Sequence, residues 1–180
     1  MFVQTEETPN PNSLKFLPGR NVSNSGPYEI TNKDEIENEL VNNILSVKGV
    51  EGIFLGNDFI SVNKSDEIKW EEIKHIVISF INDFYADGRD FVIDKNSKSH
   101  DSNLTEIEEK IVKILEQKIR PAVARDGGDI KFKEFKDGVV KVQLQGSCSG
   151  CPSSTMTLKR GVQNLLCHYL PEVKEVVAIQ

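Results

Sequence analysis

Long apolar runs are missing from this sequence. None approaches the ~20 residues that a membrane-spanning helix needs. The longest candidate, Ile73 to Phe84, is interrupted by Lys74, His75, Ser79 and Asn82, so no membrane partner is expected. Basic charge is scarce too. Lys and Arg number 22 against 28 Asp and Glu, a net charge of −6, and the pI is about 5.2. Nucleic-acid binders usually present a basic face, so nucleic acid is not an expected partner either. The opening residues show no positive region before an apolar stretch and no Arg-rich segment. Neither secretion nor organellar import is expected on that reading. Cysteine is limited to three residues, an odd count. Two of them stand at CxxC spacing, which points to metal or redox chemistry rather than a disulfide framework.

What is present divides in two. Residues 1–95 hold 9 Lys/Arg and 17 Asp/Glu, net −8, and residues 96–180 hold 13 and 11, net +2. Between them, Asp94 to Asn103 contains no hydrophobic residue. Such a segment buries nothing and reads as a flexible polar linker over 94–103. The expected architecture is therefore α+β, with two small domains at 1–93 and 104–180.

In the first, Phe2 to Thr5 and Ser13 to Leu17 read as strands around a Pro9-Asn10-Pro11 loop, which the prolines force into extended or turn geometry. Asn32 to Ser46 reads as a helix with Ile36, Leu40, Ile44 and Val47 on one face, closed by Gly49. A hairpin follows, from Val50 to Leu55 through Gly56-Asn57-Asp58 to Phe59 to Val62. Asp66 to Tyr85 is a second helix, with Trp70, Ile73, Val77, Phe80, Ile81 and Phe84 inward. The order is ββαββα.

In the second, Asn103 and Glu106 suit a capping box, and a stripe from Leu104 through Ile107, Ile111, Ile114, Leu115 and Ile119 marks a helix that Pro121 stops. Strands at Ile130 to Phe135 and Val139 to Leu144 flank the turn Lys136-Asp137-Gly138. A helix from Pro152 to Tyr169 points Leu158, Val162, Leu165, Leu166 and Tyr169 inward, and Val173 to Ile179 is a last strand. The order is αββαβ.

The chemistry concentrates at Cys148-Ser149-Gly150-Cys151-Pro152, between a strand and a helix. Thiols at i and i+3 can converge on one centre if the loop folds back, and Gly146 and Gly150 permit the φ angles this needs. Pro152 suits the first helical position, which places Cys151 near the N-cap. Unpaired N–H groups and the positive end of the helix dipole there favour thiolate. A structural zinc site needs four ligands, and the other candidates are Cys167, His75, His100 and His168. Cys167 lies 15 residues beyond Pro152, roughly 22 Å along a helix rising ~1.5 Å per residue. Neither it nor His168 can join Cys148 and Cys151 on one metal within a chain. Two thiolates per chain suit an iron–sulfur cluster shared by two chains, since such clusters usually take four. A redox dithiol and a zinc site remain alternatives at this point.

The stretches Arg120 to Asp129 (RPAVARDGGD), Gly146 to Lys159 (GSCSGCPSSTMTLK) and Leu170 to Val173 (LPEV) are similar to the C-terminal domain of NifU. The opening Gln4 to Gly19 (QTEETPNPNSLKFLPG) resembles the N-terminal domain of Nfu-type proteins. The two motifs stand in the family's order and cover nearly the whole chain. The resemblance implies an iron–sulfur scaffold or carrier, not an enzyme. It would hold a [4Fe–4S] cluster, with [2Fe–2S] the alternative, through Cys148 and Cys151 at a homodimer junction. It would take the cluster from an upstream assembly scaffold and deliver it to apo-proteins. Without a transit peptide, a bacterial cytoplasmic member is expected. A dithiol–disulfide oxidoreductase is the competing function.

Other features have plainer readings. Asp126-Gly127-Gly128-Asp129 could contact the cluster or an acceptor, but a tight turn explains the glycines. Cys167 reads as a packed helical thiol, His168 and His75 as surface residues, His100 as a linker residue and Trp70 as core. Glu6 and Glu7 beside the Pro-Asn-Pro loop are the local anomaly of a cysteine-free N-terminal domain, which reads as a module for client recognition or for regulating access to the cluster.

Overall fold

The computed structural model describes residues 2–90, 92, 93, 104–149 and 152–179, with the backbone alone over 152–154. The expected linker over 94–103 lies outside the described residues. The chain divides into two compact units, Met1–Lys98 and Ser99–Gln180, and both mix helix and sheet.

The first unit is built on an antiparallel sheet of five strands: β1 (Gln4–Glu7), β2 (Ser13–Leu17), β3 (Tyr28–Ile30), β4 (Val50–Leu55) and β5 (Ile60–Lys64). Their spatial order is β1-β2-β5-β4-β3. The apolar positions of β2, β4 and β5 pack with α1 (Glu39–Leu45) and α2 (Trp70–Ala86) in one core containing Phe16, Ile44, Ile53, Val62, Val77 and Ile81. Two details depart from the sequence pattern. β3 is an additional short strand. The expected helix over 32–46 is broken: a 3-10 turn at Lys33–Glu35 carries the Asn32/Glu35 capping box, then Ile36 is extended and Asn38 caps α1 afresh. Asn32 and Asn38 each offer a side-chain acceptor, so two starts compete and the chain uses both.

The second unit has three strands, β6 (Gly128–Lys136), β7 (Val139–Gly146) and β8 (Glu175–Ile179). β6 and β7 are antiparallel, and β8 runs parallel to β7 after the crossover helix α5 (Pro152–Tyr169). Asp137 at φ 53° and Gly138 at φ 80° make the two-residue hairpin loop that Asp-Gly favours. Ile111, Leu115, Val140, Val142, Val162 and Leu166 form its core.

The helical entry to this unit corrects two expectations. The capping box belongs to Thr105 and Glu108, which starts α3 at Glu106–Ile114; Asn103 lies outside the described residues. Pro121 does not stop the helix. A π turn over Leu115–Ile119 precedes α4 (Arg120–Arg125), and the Arg120 N–H bonds Leu115 O, five residues back. The widened turn accommodates a residue that lacks an N–H and clashes with the preceding turn. Tyr169 is also not inward. It is 48 % exposed, with the Lys118 ammonium 5.2 Å from its ring centroid.

Tyr85 seals the first unit. It is buried and donates its hydroxyl to Asn21 O at 3.0 Å. Burial pushes its pKa up to about 12, with Arg20 opposing. The native state therefore holds this proton where the unfolded chain releases it, and the contribution present below pH 10 is lost as pH rises toward 12. Tyr85→Phe should cost about 1 kcal/mol at pH 7 and flatten the fall in stability between pH 10 and 12, measured by urea unfolding across that range.

Candidate functional site

The cysteine loop is positioned by strand register. β6 and β7 pair so that Gly128 faces Gly146 and Asp129 faces Gln145. This places the Asp126 to Asp129 turn directly against the segment that leads into Cys148. Gly127 has φ 80° and Gly146 φ 66°, left-handed values that favour glycine. The two corners are tied together. The Ser147 N–H bonds Gly127 O at 3.2 Å, and the Ser147 hydroxyl donates to Asp126 O. Ser149 closes on itself, its N–H and hydroxyl both bonding Gly146 O, at 3.1 and 2.8 Å. Thr155 of α5 donates its hydroxyl to Cys148 O at 3.3 Å. Small polar side chains thus fasten a loop whose glycines set its shape.

Cys148 is not displayed to solvent. It is 7 % exposed and belongs to the core of the second unit. Its Sγ sits against Gly128: a Cβ added there would lie 2.7 Å from Sγ and 2.6 Å from Gln145 O. The Asp-Gly-Gly-Asp segment is therefore a turn, as its glycines suggest, and its second glycine also makes the seat for this thiol. Cys151 lies outside the described residues. Pro152 begins α5, so the expected strand–loop–helix context is present.

One supporting pair escaped the sequence reading. Arg120 grips Asp129 with two bonds, Nε to Oδ1 at 2.8 Å and a terminal guanidinium nitrogen to Oδ2 at 3.0 Å. Asp129 is buried and Arg120 half-buried. The hydrogen bond to Asp129 holds the Arg120 pKa above its ordinary value, against desolvation. The bidentate fork ties the start of α4 to the start of β6 and so fixes the turn between them. Both residues stand within the quoted RPAVARDGGD motif, but their spacing alone does not reveal a pair bridging helix and strand.

The remaining candidates stay apart from the loop. α5 is continuous from Pro152 to Tyr169, and the Cys167 thiol donates to Val173 O at 3.1 Å, packed at the other end of the core. His168 and His75 are exposed, and His100 lies outside the described residues. Among the described residues, no group of three or more His, Cys, Asp or Glu converges to hold a metal ion. Trp70 is half-buried and packs against the core of the first unit, edge-on to Phe16 at 6.4 Å between centroids.

Gly128→Ala tests the seat. The methyl must displace either the thiol or the Gln145 carbonyl. The expected outcome is a loss of about 1–3 kcal/mol in stability, with faster alkylation of Cys148 than in the parent, followed by peptide mass spectrometry. Unchanged alkylation would contradict the contact.

Comparison with known proteins covers both units. Residues 3–88 match the family described as scaffold protein Nfu/NifU N terminal, and residues 111–177 match the NifU-like domain. NifU-like protein 4, mitochondrial, of Arabidopsis thaliana is 41 % identical over 98 % of this chain and 65 % of its own length. The NFU1 iron-sulfur cluster scaffold homolog, mitochondrial, is 41 % identical in Homo sapiens over 98 % of this chain and 71 % of its length. In Drosophila erecta the figures are 44 %, 98 % and 64 %. The chain thus spans about two thirds of these relatives. The expectation of a bacterial cytoplasmic protein is overturned, because all three relatives are named as mitochondrial. The opening residues are a poor guide to location, since about a third of each relative's own length lies outside the part aligned here.

Proposed function

The chain belongs to the Nfu/NifU family of iron–sulfur cluster scaffold proteins, and we propose that it carries a [4Fe–4S] cluster as cargo and passes it to apo-proteins. Cys148 and Cys151 are the ligands in this reading, two from each of two chains. What supports it is the buried Cys148 just after β7 and the start of α5 at Pro152, the residue that follows Cys151 in the sequence, while the third cysteine is engaged at the far end of α5. Two thiolates cannot complete the four that a cluster usually takes, so loading would pair two loops. The Cys148 side chain would leave its seat on Gly128 to do so, and an exposed shared site would release its cargo to an acceptor. The chain acts here as a donor of clusters, not a conventional enzyme. An upstream assembly scaffold would supply the cluster, and a mitochondrial or other organellar setting fits the named relatives.

The first unit, without cysteine and at net −8 over residues 1–95, serves client recognition in this reading. A client held there would meet the cluster at raised local concentration.

Cys148→Ser and Cys151→Ser should each abolish stable cluster binding after anaerobic reconstitution, while Cys167→Ala should retain it, read by visible absorption and Mössbauer spectroscopy. Loss of the cluster in Cys167→Ala with native circular dichroism would contradict the ligand assignment. Removing residues 1–93 should slow transfer to a specific [4Fe–4S] acceptor more than it weakens cluster binding. Equal transfer rates for every acceptor tried would remove the recognition role.

A further inference from the structure

The first unit contains a cleft of about 570 Å³ that the cluster chemistry does not use. One wall is the edge strand β1, from which Thr5 and Glu7 line the space. These two are i and i+2 on a strand and so share a face, which means the cleft runs along the strand. The opposite wall is the first turn of α2, with Trp70, Glu71 and Lys74. The Pro9-Asn10-Pro11 loop closes one end.

The walls are built rather than incidental. Thr8 donates its hydroxyl to Asn10 O and Ser13 O, both at 2.9 Å. The Asn12 amide donates to Asp66 Oδ1. The Trp70 indole N–H is committed to Pro11 O at 3.0 Å, so the ring offers the cleft an apolar surface and no donor. Ser13 lines the floor, is 2 % exposed, and its Oγ has no hydrogen-bond partner. A buried hydroxyl left unpaired is costly unless something else meets it.

Charge and edge select the occupant. Among the described residues Glu7 and Glu71 form no ion pair, and Lys74 is the one cation of the lining. β1 ends its sheet, and its outer side pairs with no described strand. An edge of this kind accepts an extended peptide by strand addition. A second copy of β1 would set Glu6 and Glu7 against their own kind in parallel register and crowd four carboxylates onto one short ladder in antiparallel register, which disfavours self-pairing. A free anion or nucleic acid meets the same carboxylates.

We propose that this cleft is a docking site for an extended, lysine- or arginine-bearing peptide segment of a partner protein, added along the outer edge of β1 with basic side chains between Glu7 and Glu71 and apolar ones on Trp70. As the place where a client is held, it rests on the recognition role proposed above for the first unit; the binding itself does not.

Trp70 is the single tryptophan of the chain, so its emission reports this cleft alone. The test titrates the full chain with a blocked ten-residue peptide alternating valine and lysine. A saturable change in Trp70 emission is expected. An alternating valine–glutamate peptide should give none, and N-methylation of alternate peptide nitrogens should remove most of the affinity. Glu7→Lys with Glu71→Lys should weaken binding about tenfold, the scale of two lost exposed charge pairs. Glu37→Lys with Glu51→Lys makes the same charge change at exposed positions outside the lining and should change affinity far less. No saturable change, equal effects of the two double variants, or full affinity of the N-methylated peptide would each overturn the proposal. Peptide binding together with transfer that is unaffected by loss of residues 1–93 would leave the site standing and remove its purpose. Slowed transfer without peptide binding would remove the site alone.

Discussion

The pairing of β6 with β7 is the constraint on which the cysteine loop depends. Register sets Gly128 opposite Gly146. A slip by one residue would turn every side chain to the other face, putting Asp129 where Gly128 makes room for the Cys148 thiol. The Asp-Gly hairpin at one end of the ladder and the Arg120–Asp129 fork at the other hold that register. Ser147 then ties the loop to the turn facing it. The thiol is thus housed by backbone geometry, and its neighbours are small because larger ones would not fit.

Seen this way, the loop has two demands placed on it. In the function proposed above, it keeps the Cys148 thiol packed in the folded chain and releases that thiol to a cluster. Glycines at left-handed φ on both sides of the contact, Gly127 and Gly146, hold a shape that other residues would strain. Serine hydroxyls bonded to carbonyls, as at Ser147 and Ser149, make local links of modest net strength. Such links can give way one at a time. A loop built on bulky packing could not open at comparable cost.

Much of this was legible in the residues, and what was not has identifiable causes. Strands β4 and β5, the Asp137-Gly138 turn and helix α5 follow from alternation, turn chemistry and a proline at the first helical position. The break at Ile36 was hidden because Asn32 and Asn38 are both good caps and the apolar spacing runs through them. Pro121 reads as a stop unless a π turn is allowed before it, and helical periodicity does not signal one. Tyr169 falls on the inward stripe by count, yet it lies in the last turn of α5, where the ring lies exposed beside Lys118. At the site, the thiol pair and the glycines stood out, whereas the Arg120–Asp129 fork and the Gly128 seat are tertiary contacts with no local pattern. Membership of the Nfu/NifU family is visible in long motifs, whereas the first residues described do not reveal cellular location.

The central claim is that one chain supplies half a cluster site. Sedimentation velocity of the apo-protein and of the anaerobically reconstituted protein, with iron and sulfide determined on the same samples, tests it most directly. The account predicts a mass that doubles on loading, with about four irons per dimer. A fully loaded protein that sediments as a monomer, with no external thiol present, would contradict it.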